Sequence, residues 1–129
     1  MLYEDQEAKL QKKITKLINK GKIHVDNEVV IFGASENSKI MMAMLRKRGI
    51  NPSYVVDNDP KKWGTWCSGC EVKKPEILAD RKKDNNIKIL LYSYYYYEII
   101  SQAESYGYIK NKNYFDITEK ALRKRLFIY

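Results

Sequence analysis

The stretch VVIFGASENS, residues 29–38, is the clearest indication of the fold of this chain, together with YVVDNDP, residues 54–60. The first indicates a buried strand, a tight turn at Gly33 and the start of a helix, and the second indicates a strand that ends at Asp57. This order is typical of the opening of a nucleotide-binding βαβ unit, in which a phosphate lies on the helix N-terminus and a carboxylate accepts a ribose hydroxyl. The two stretches therefore predict a parallel α/β sheet and a ligand site.

Two serines distinguish this turn from the glycine-rich fingerprint of dinucleotide-binding proteins. That fingerprint has glycine where this chain has Ser35 and Ser38, so that the backbone can approach a pyrophosphate and the helix can pack on the strand. Gly33 keeps the tight turn, but the side chain of Ser35 disfavours the standard NAD pose. The helix N-terminus still offers free N–H groups and a positive dipole end to a phosphate, and both serine hydroxyls can donate to it. The alternative is that Ser35 only caps the helix.

Strand and helix patterns alternate along the chain with the spacing of βαβ crossovers. Helices are predicted over residues 3–20, 37–47, 75–81, 95–106 and 118–126, and strands over residues 28–32, 54–57, 71–73, 87–92 and 114–116. Ser35 and Ser93 are expected to cap the second and fourth helices. We predict a three-layer Rossmann-like α/β fold with a parallel sheet of four or five strands, in the order 3-2-1-4-5, and an extra N-terminal helix. Residues 1–24 would form that amphipathic helix and a connector, and residues 25–129 a Rossmann-like nucleotide-binding domain.

Polar side chains follow three of the predicted strands. The Asp57 carboxylate can accept the hydroxyls of a ribose, with Asn58 beside it, whereas the alternative for both is a turn sequence that starts a short helix. Ser93 and Tyr94 follow the strand that a doubly wound sheet places beside the first one, across the topological switch point. A tyrosine at this place can stack on a base or sugar, or pack in the core. The candidate ligand site comprises Gly33, Ala34, Ser35, Asn37, Ser38, Asp57, Asn58, Ser93 and Tyr94.

The charge of the chain limits its partners. The net charge is +8, and the excess lies in residues 9–22 and 120–125. Such an excess favours anionic partners, although solvated lysine-rich faces on two terminal helices are the simpler explanation. The argument for binding to nucleic acid rests on charge alone, and we do not expect nucleic acid as a partner. Because no stretch is apolar for the roughly 18 residues of a membrane helix and no signal-peptide core is present, we expect a cytoplasmic protein without a membrane span.

Catalytic and metal-binding groups are sparse. With His24 as the single histidine, no Ser-His-Asp set can form, and no His-Glu-x-x-His or Walker-type motif is present. An oxidoreductase would also need a substrate domain, for which 129 residues leave no room. Cys67 and Cys70 form a Cys-x-x-Cys pair, but a zinc site needs four ligands and a redox pair is usually found at a helix N-terminus. We assign no catalytic residue and no metal ligand, and an intermolecular metal site in a dimer stays open.

Taken together, these motifs resemble a group of small Rossmann-like domains. The group occurs at the N-terminus of bacterial sugar acyltransferases and is appended to glycosyltransferases and methyltransferases of surface-polysaccharide pathways. The shared pattern lies in residues 33–35, 56–64, 69–78 and 90–97. In the acyltransferase relatives this domain holds the nucleotide part of a UDP-sugar, and the resemblance implies the same role for Gly33, Ala34, Ser35, Asp57, Asn58 and Ser93. The relatives have a glycine where this chain has Ser38, and their catalytic domain has no counterpart here.

These observations predict a nucleotide- or nucleotide-sugar-binding module of bacterial surface-glycan biosynthesis, without its own catalytic set. The ligand expected is a UDP-sugar-like nucleotide, and NAD(P) is the alternative, as in an NAD(P)-binding subunit of an oxidoreductase. A homodimer or a partner transferase chain would be its protein partner. A different class of function is an interaction or oligomerisation domain without a ligand, which the apolar stripe of residues 10–18 and the apolar residues 126–129 motivate.

Overall fold

The computed structural model describes residues 4–81 and 85–118. Its α-helices and strands follow each other in the order α1 (Glu4–Asn19), β1 (Glu28–Phe32), α2 (Glu36–Lys47), β2 (Tyr54–Val56), β3 (Trp66–Cys67), β4 (Cys70–Lys73), β5 (Ile87–Leu91), α3 (Tyr96–Ser105) and β6 (Tyr114–Asp116). Two 3₁₀ helices, Pro60–Lys62 and Pro75–Arg81, lie in the connections that follow β2 and β4. None of the described helices is both long and apolar enough to cross a membrane.

The strands form one six-stranded sheet in the order β3-β4-β2-β1-β5-β6. Five of them are parallel, and they reproduce the predicted order 3-2-1-4-5 because the predicted strands correspond to β1, β2, β4, β5 and β6. The sixth strand was not predicted. It is the two-residue β3, which pairs antiparallel with β4 and places Cys67 opposite Cys70. Residues 66–73, for which the sequence predicted only a strand over residues 71–73, therefore form a hairpin at the edge of the sheet.

Each face of the sheet carries its own apolar layer, which confirms the three-layer architecture. Alternate residues of a strand point to opposite faces, so Val29 and Ile31 pack on the side of α1 and α2, whereas Val30 and Phe32 pack on the side of α3. All four of these side chains are at most 1% exposed. A strand buried on both faces reads as a continuous apolar run, and this is why β1 can be recognised in the sequence.

The N-terminal helix α1 contributes directly to the first of these layers. Leu10 and Ile14 are 0% and 1% exposed and belong to the same apolar cluster as α2. From the same helix, Lys13 Nζ donates to the carbonyl oxygens of Ile117 and Thr118 at 3.3 and 3.2 Å. Helix α1 therefore connects the α2 layer to the end of β6.

Two predicted helices differ from the structure. The segment Pro75–Arg81 is a 3₁₀ helix rather than an α-helix. Helix α3 begins at Tyr96 and has Tyr95 as its N-cap, without a side-chain capping bond, so the prediction that Ser93 caps it is wrong. Ser93 lies two residues earlier, and its Oγ accepts from the Tyr95 N–H at 3.0 Å, which closes a serine turn in front of the helix. The helix predicted over residues 118–126 lies almost entirely outside the described residues.

A buried tyrosine predicts how stability depends on alkaline pH. Tyr114 is 0% exposed, and its hydroxyl donates to Glu104 Oε2 at 2.6 Å. Burial, then the hydrogen bond and the charge of Glu104, raise the pKa of Tyr114 to about 12. Above about pH 10 the unfolded chain therefore loses this proton while the folded protein keeps it, so the free energy of unfolding should fall as the pH rises toward 12.

Urea unfolding at a series of alkaline pH values measures this dependence. The variant Tyr114→Phe has no proton to lose at this position, so its free energy of unfolding should fall less steeply with pH than that of the wild type. Equal slopes for the two proteins would contradict the assignment.

Candidate functional site

A cavity of about 620 Å³ opens at the carboxyl ends of β1, β2 and β5. Its volume is in the range of small-molecule sites, roughly 300–1,000 Å³. It lies at the switch point of the parallel sheet, where strand order reverses and ligands of open α/β sheets bind. Eight of the nine predicted site residues line it, and these are Gly33, Ala34, Ser35, Asn37, Asp57, Asn58, Ser93 and Tyr94. The ninth, Ser38, does not.

The turn between β1 and α2 forms the floor of this crevice. Gly33 has a φ of +112°, a conformation that disfavours any residue with a Cβ, and its N–H donates to the Val56 carbonyl at 2.8 Å. Ser35 is the N-cap of α2, as predicted, and its Oγ accepts from the Ser38 N–H at 3.1 Å. The Ser35 hydroxyl also donates to Ser38 Oγ at 3.1 Å. Ser38 is 0% exposed, and through its two hydrogen bonds with Ser35 it supports the turn from the protein interior.

The first two amides of α2 are available to a ligand. The N–H groups of Glu36 and Asn37 lie in the first turn, where no helix carbonyl precedes them to accept a hydrogen bond. Within the described residues, neither N–H has a protein acceptor. The Ser38 amide is already taken by Ser35. The helix N-terminus carries a partial positive charge that adds to these donors. A phosphate oxygen placed here would therefore meet two free N–H groups and a favourable dipole.

Asp57 ties this turn to the end of β2. Its Oδ2 accepts from the Ala34 N–H and its Oδ1 from the Asp59 N–H, both at 2.8 Å. Lys62 Nζ lies 3.8 Å from Asp57 Oδ2 and donates to the Ala34 carbonyl at 3.0 Å. Asp57 thus makes the hydrogen bonds of a turn, which is the alternative role that its sequence context predicts. A carboxylate has lone pairs for about four hydrogen bonds, so these contacts leave it able to accept a ligand hydroxyl as well.

Asn58 joins the rim of the crevice to helix α3. Its Nδ2 donates to Gln102 Oε1 at 2.8 Å, and Gln102 Nε2 donates back to Asn58 Oδ1 at 2.9 Å. Gln102 Nε2 also donates to the Tyr106 hydroxyl at 2.9 Å. No sequence pattern indicates this pair, since the two residues are 44 positions apart. The amide pair holds the loop after β2 against the helix that forms the opposite wall.

This pair supports a prediction on stability. Replacing Asn58 or Gln102 by alanine leaves the partner amide without its reciprocal hydrogen bonds, and each exposed bond contributes about 0.5–1 kcal/mol. In a double-mutant cycle measured by urea unfolding, the two substitutions should therefore be coupled by about 0.5–1 kcal/mol. Strict additivity would show that the pair does not hold the two walls together.

The crevice also contains charged and aromatic residues outside the nine predicted ones. Besides the predicted residues, its walls include Glu36, Asp59, Lys62, Tyr95 and Glu98. Among the described residues, four carboxylates and one ammonium group therefore line this crevice, in a protein whose net charge is +8. Tyr94 and Tyr95 are 39% and 69% exposed, so their rings can contact a ligand. The walls thus offer acceptors for hydroxyl groups and rings for stacking, and the floor offers donors for a phosphate.

Residues 4–81 and 85–118 contain no group of three or more His, Cys, Asp and Glu side chains placed to hold a metal ion. Cys67 and Cys70 lie in the edge hairpin and do not line the crevice.

This architecture is that of a Rossmann-like domain with a crevice at its switch point. Residues 25–114 match the family described as C2185-like, N-terminal, and the chain belongs to that family. No curated protein sequence matches the chain significantly.

Solved structures with the same fold include enzymes and repressors. UDP-D-quinovosamine 4-dehydrogenase from Vibrio fischeri is 24% identical, over 62% of this chain and 70% of its own, with a TM-score of 0.50. RSP, a Rex-family repressor solved with β-NAD+ and operator DNA, is 14% identical over 90% of this chain and 59% of its own, with a TM-score of 0.56. The structure of the same repressor with β-NADH is 17% identical over 81% of this chain and 50% of its own, with a TM-score of 0.52. The chain therefore spans little more than half of the repressor, and these similarities show the Rossmann-like fold.

Proposed function

We propose that this protein binds a nucleotide in the crevice at the switch point of its sheet. The observation that carries the proposal is the pairing of free amides with a carboxylate across one cavity. The amides of Glu36 and Asn37 would receive a phosphate, and Asp57 would accept a ribose hydroxyl. Tyr94, on the third side, would stack on the base or the sugar.

The charge of the crevice favours particular nucleotides. A carboxylate at the end of the second strand suits an unmodified ribose, and a ribose phosphate at the same place would meet like charge. Beyond the floor, the carboxylates of Asp59 and Glu98 can accept hydroxyl groups, whereas further phosphates would be repelled. We therefore favour a UDP-sugar, whose outer part is rich in hydroxyl groups, and take NAD as the second ligand of this class.

The names of the structural neighbours support both ligands. One neighbour is named for a UDP-sugar, and the repressor was solved with NAD+ and with NADH. The resemblance to domains of surface-polysaccharide enzymes supports the UDP-sugar and a role in bacterial surface-glycan biosynthesis. In this proposal residues 25–129 form the nucleotide-binding domain, α1 is packed on it, and a partner transferase chain performs the chemistry.

Calorimetric titration tests the proposal. Under one buffer condition the protein would be titrated with UDP-glucose, NAD+ and NADP+. We expect saturable binding of UDP-glucose or NAD+ with one site per chain, and weaker binding of NADP+ because its ribose phosphate would face Asp57.

A matched pair of variants locates the binding. Gly33→Val should abolish it, because a β-branched residue is strained at φ +112° and reshapes the floor. Lys12→Ala, on an exposed position of α1, should leave it unchanged. No heat change with any of the three nucleotides, from protein shown by circular dichroism to be folded, would overturn the proposal.

A further inference from the structure

The hairpin at the sheet edge brings two cysteines together. Cys67 and Cys70 are directly opposite in the antiparallel pair β3–β4, and the turn between them consists of Ser68 and Gly69. Both turn residues have positive φ, +49° and +82°, as a two-residue type I′ turn requires. Side chains of directly opposite residues project from the same side of a hairpin, so the two sulfurs lie on one face.

The spacing of such a pair fits a disulfide. Directly opposite residues in an antiparallel ladder have Cα atoms about 4.5–5.5 Å apart. The Cα separation across a disulfide is about 4.4–6.8 Å, so the backbone of this hairpin already has the required spacing. Both cysteines are free thiols in the structure, and they are only 4% and 5% exposed.

The surroundings of the two sulfurs differ. Cys70 Sγ donates to the Pro52 carbonyl at 3.3 Å, and Arg46 Nη2 donates to Cys70 Sγ at 3.5 Å. The same guanidinium binds the hairpin turn, since Arg46 Nη1 donates to Ser68 Oγ at 3.0 Å. Burial raises the pKa of the Cys67 thiol. A thiolate at Cys70 would lie against a cation that α2 holds in place.

We propose that Cys67 and Cys70 form a reversible intramolecular disulfide within the folded hairpin. The oxidant is a low-molecular-weight disulfide such as oxidised glutathione. The Cys70 thiolate attacks one of its sulfurs, which gives a mixed disulfide and releases one glutathione thiolate. The Cys67 thiolate then attacks the Cys70 sulfur and releases the second glutathione. The two protons lost by the protein thiols pass to the released thiolates, so the protein is oxidised and the glutathione disulfide is reduced.

A thermodynamic comparison of the folded and unfolded chain tests the proposal. Any Cys-x-x-Cys segment can close when it is unfolded, so the decisive quantity is how much folding favours closure. The protein would be equilibrated in glutathione redox buffers, with and without denaturing urea, starting from both the reduced and the oxidised form. After alkylation of free thiols, mass spectrometry counts the closed, mixed-disulfide and reduced species.

We expect the equilibrium constant for closure to be about tenfold or more larger in the folded protein, because the hairpin already holds the two Cα atoms at bonding distance. By linkage, the oxidised protein should then unfold at a higher urea concentration than the reduced one. Equal or weaker closure in the folded protein would overturn the proposal, and so would mixed or intermolecular disulfides as the main products.

A turn variant supplies the matched control. Gly69→Ala keeps both thiols but strains a residue that needs φ +82°, so it should reduce the preference of the folded state for closure. Cys67→Ala and Cys70→Ala should give only mixed disulfides in the same buffers. If Gly69→Ala leaves the ratio of the two equilibrium constants unchanged, the geometry of the hairpin is not what favours the bond, and the proposal fails.

Discussion

Replacing Asp57 by alanine is expected to abolish nucleotide binding and to destabilise the fold. The carboxylate accepts from the N–H groups of Ala34 and Asp59, and hydrogen bonds to a charged group contribute about 1.5–3 kcal/mol each. The side chain is 14% exposed, so water replaces these contacts only in part. We expect a loss of about 2–4 kcal/mol in the free energy of unfolding and a fall in nucleotide affinity of about 100-fold or more.

Two further substitutions separate the roles of this carboxylate. Asp57→Asn keeps one acceptor oxygen, so it should lose less stability than Asp57→Ala while still binding nucleotide poorly. Asp26→Ala removes an exposed carboxylate that does not line the crevice, and it should change neither quantity. Urea unfolding and calorimetric titration measure the two effects. If Asp57→Ala binds nucleotide like the wild type, the crevice is not the ligand site.

Replacing Leu10 by alanine is expected to cost about 2–5 kcal/mol of stability. Leu10 is 0% exposed and packs in the same layer as α2, so its truncation would leave a cavity in the core. Lys12→Ala, on the exposed side of the same helix, should change the free energy of unfolding by less than about 0.5 kcal/mol. Urea unfolding of both variants is the measurement. Equal effects would mean that α1 is not part of the cooperatively folding unit.

The parallel part of the sheet could be predicted because its signals are local. β1 contains the apolar run of residues 29–32 and β5 the apolar run of residues 89–91, as expected for strands buried on both faces. Gly33 and Ser35 then mark the turn and the helix start that follow β1. Once the strands and the helices that connect them are known, the rule of right-handed crossovers leaves few possible strand orders. The order 3-2-1-4-5 is the common order of doubly wound sheets. The strand β3 escaped prediction because two residues are too few to show a period.

The crevice could be placed from the sequence, but the contacts within it could not. The carboxyl ends of parallel strands meet at one edge, and this places Asp57 and Ser93 on one cavity. The side chains that hold its walls pair over long sequence distances, as Asn58 and Gln102 do. Likewise, the sequence suggested that Ser38 contacts the ligand, whereas the structure buries it beneath the turn. Long-range pairing and burial depend on the tertiary fold, which no local pattern encodes.

The proposed function requires that a nucleotide phosphate lies on the N-terminus of α2. The most direct measurement is the mapping of backbone amide resonances by heteronuclear NMR during a titration with UDP-glucose and NAD+. We expect the largest shifts, and saturable ones, at the Glu36 and Asn37 amides, with further shifts at Ser93 and Tyr94. Shifts centred on the exposed lysines of α1, or the absence of saturable shifts at the Glu36 and Asn37 amides, would contradict it.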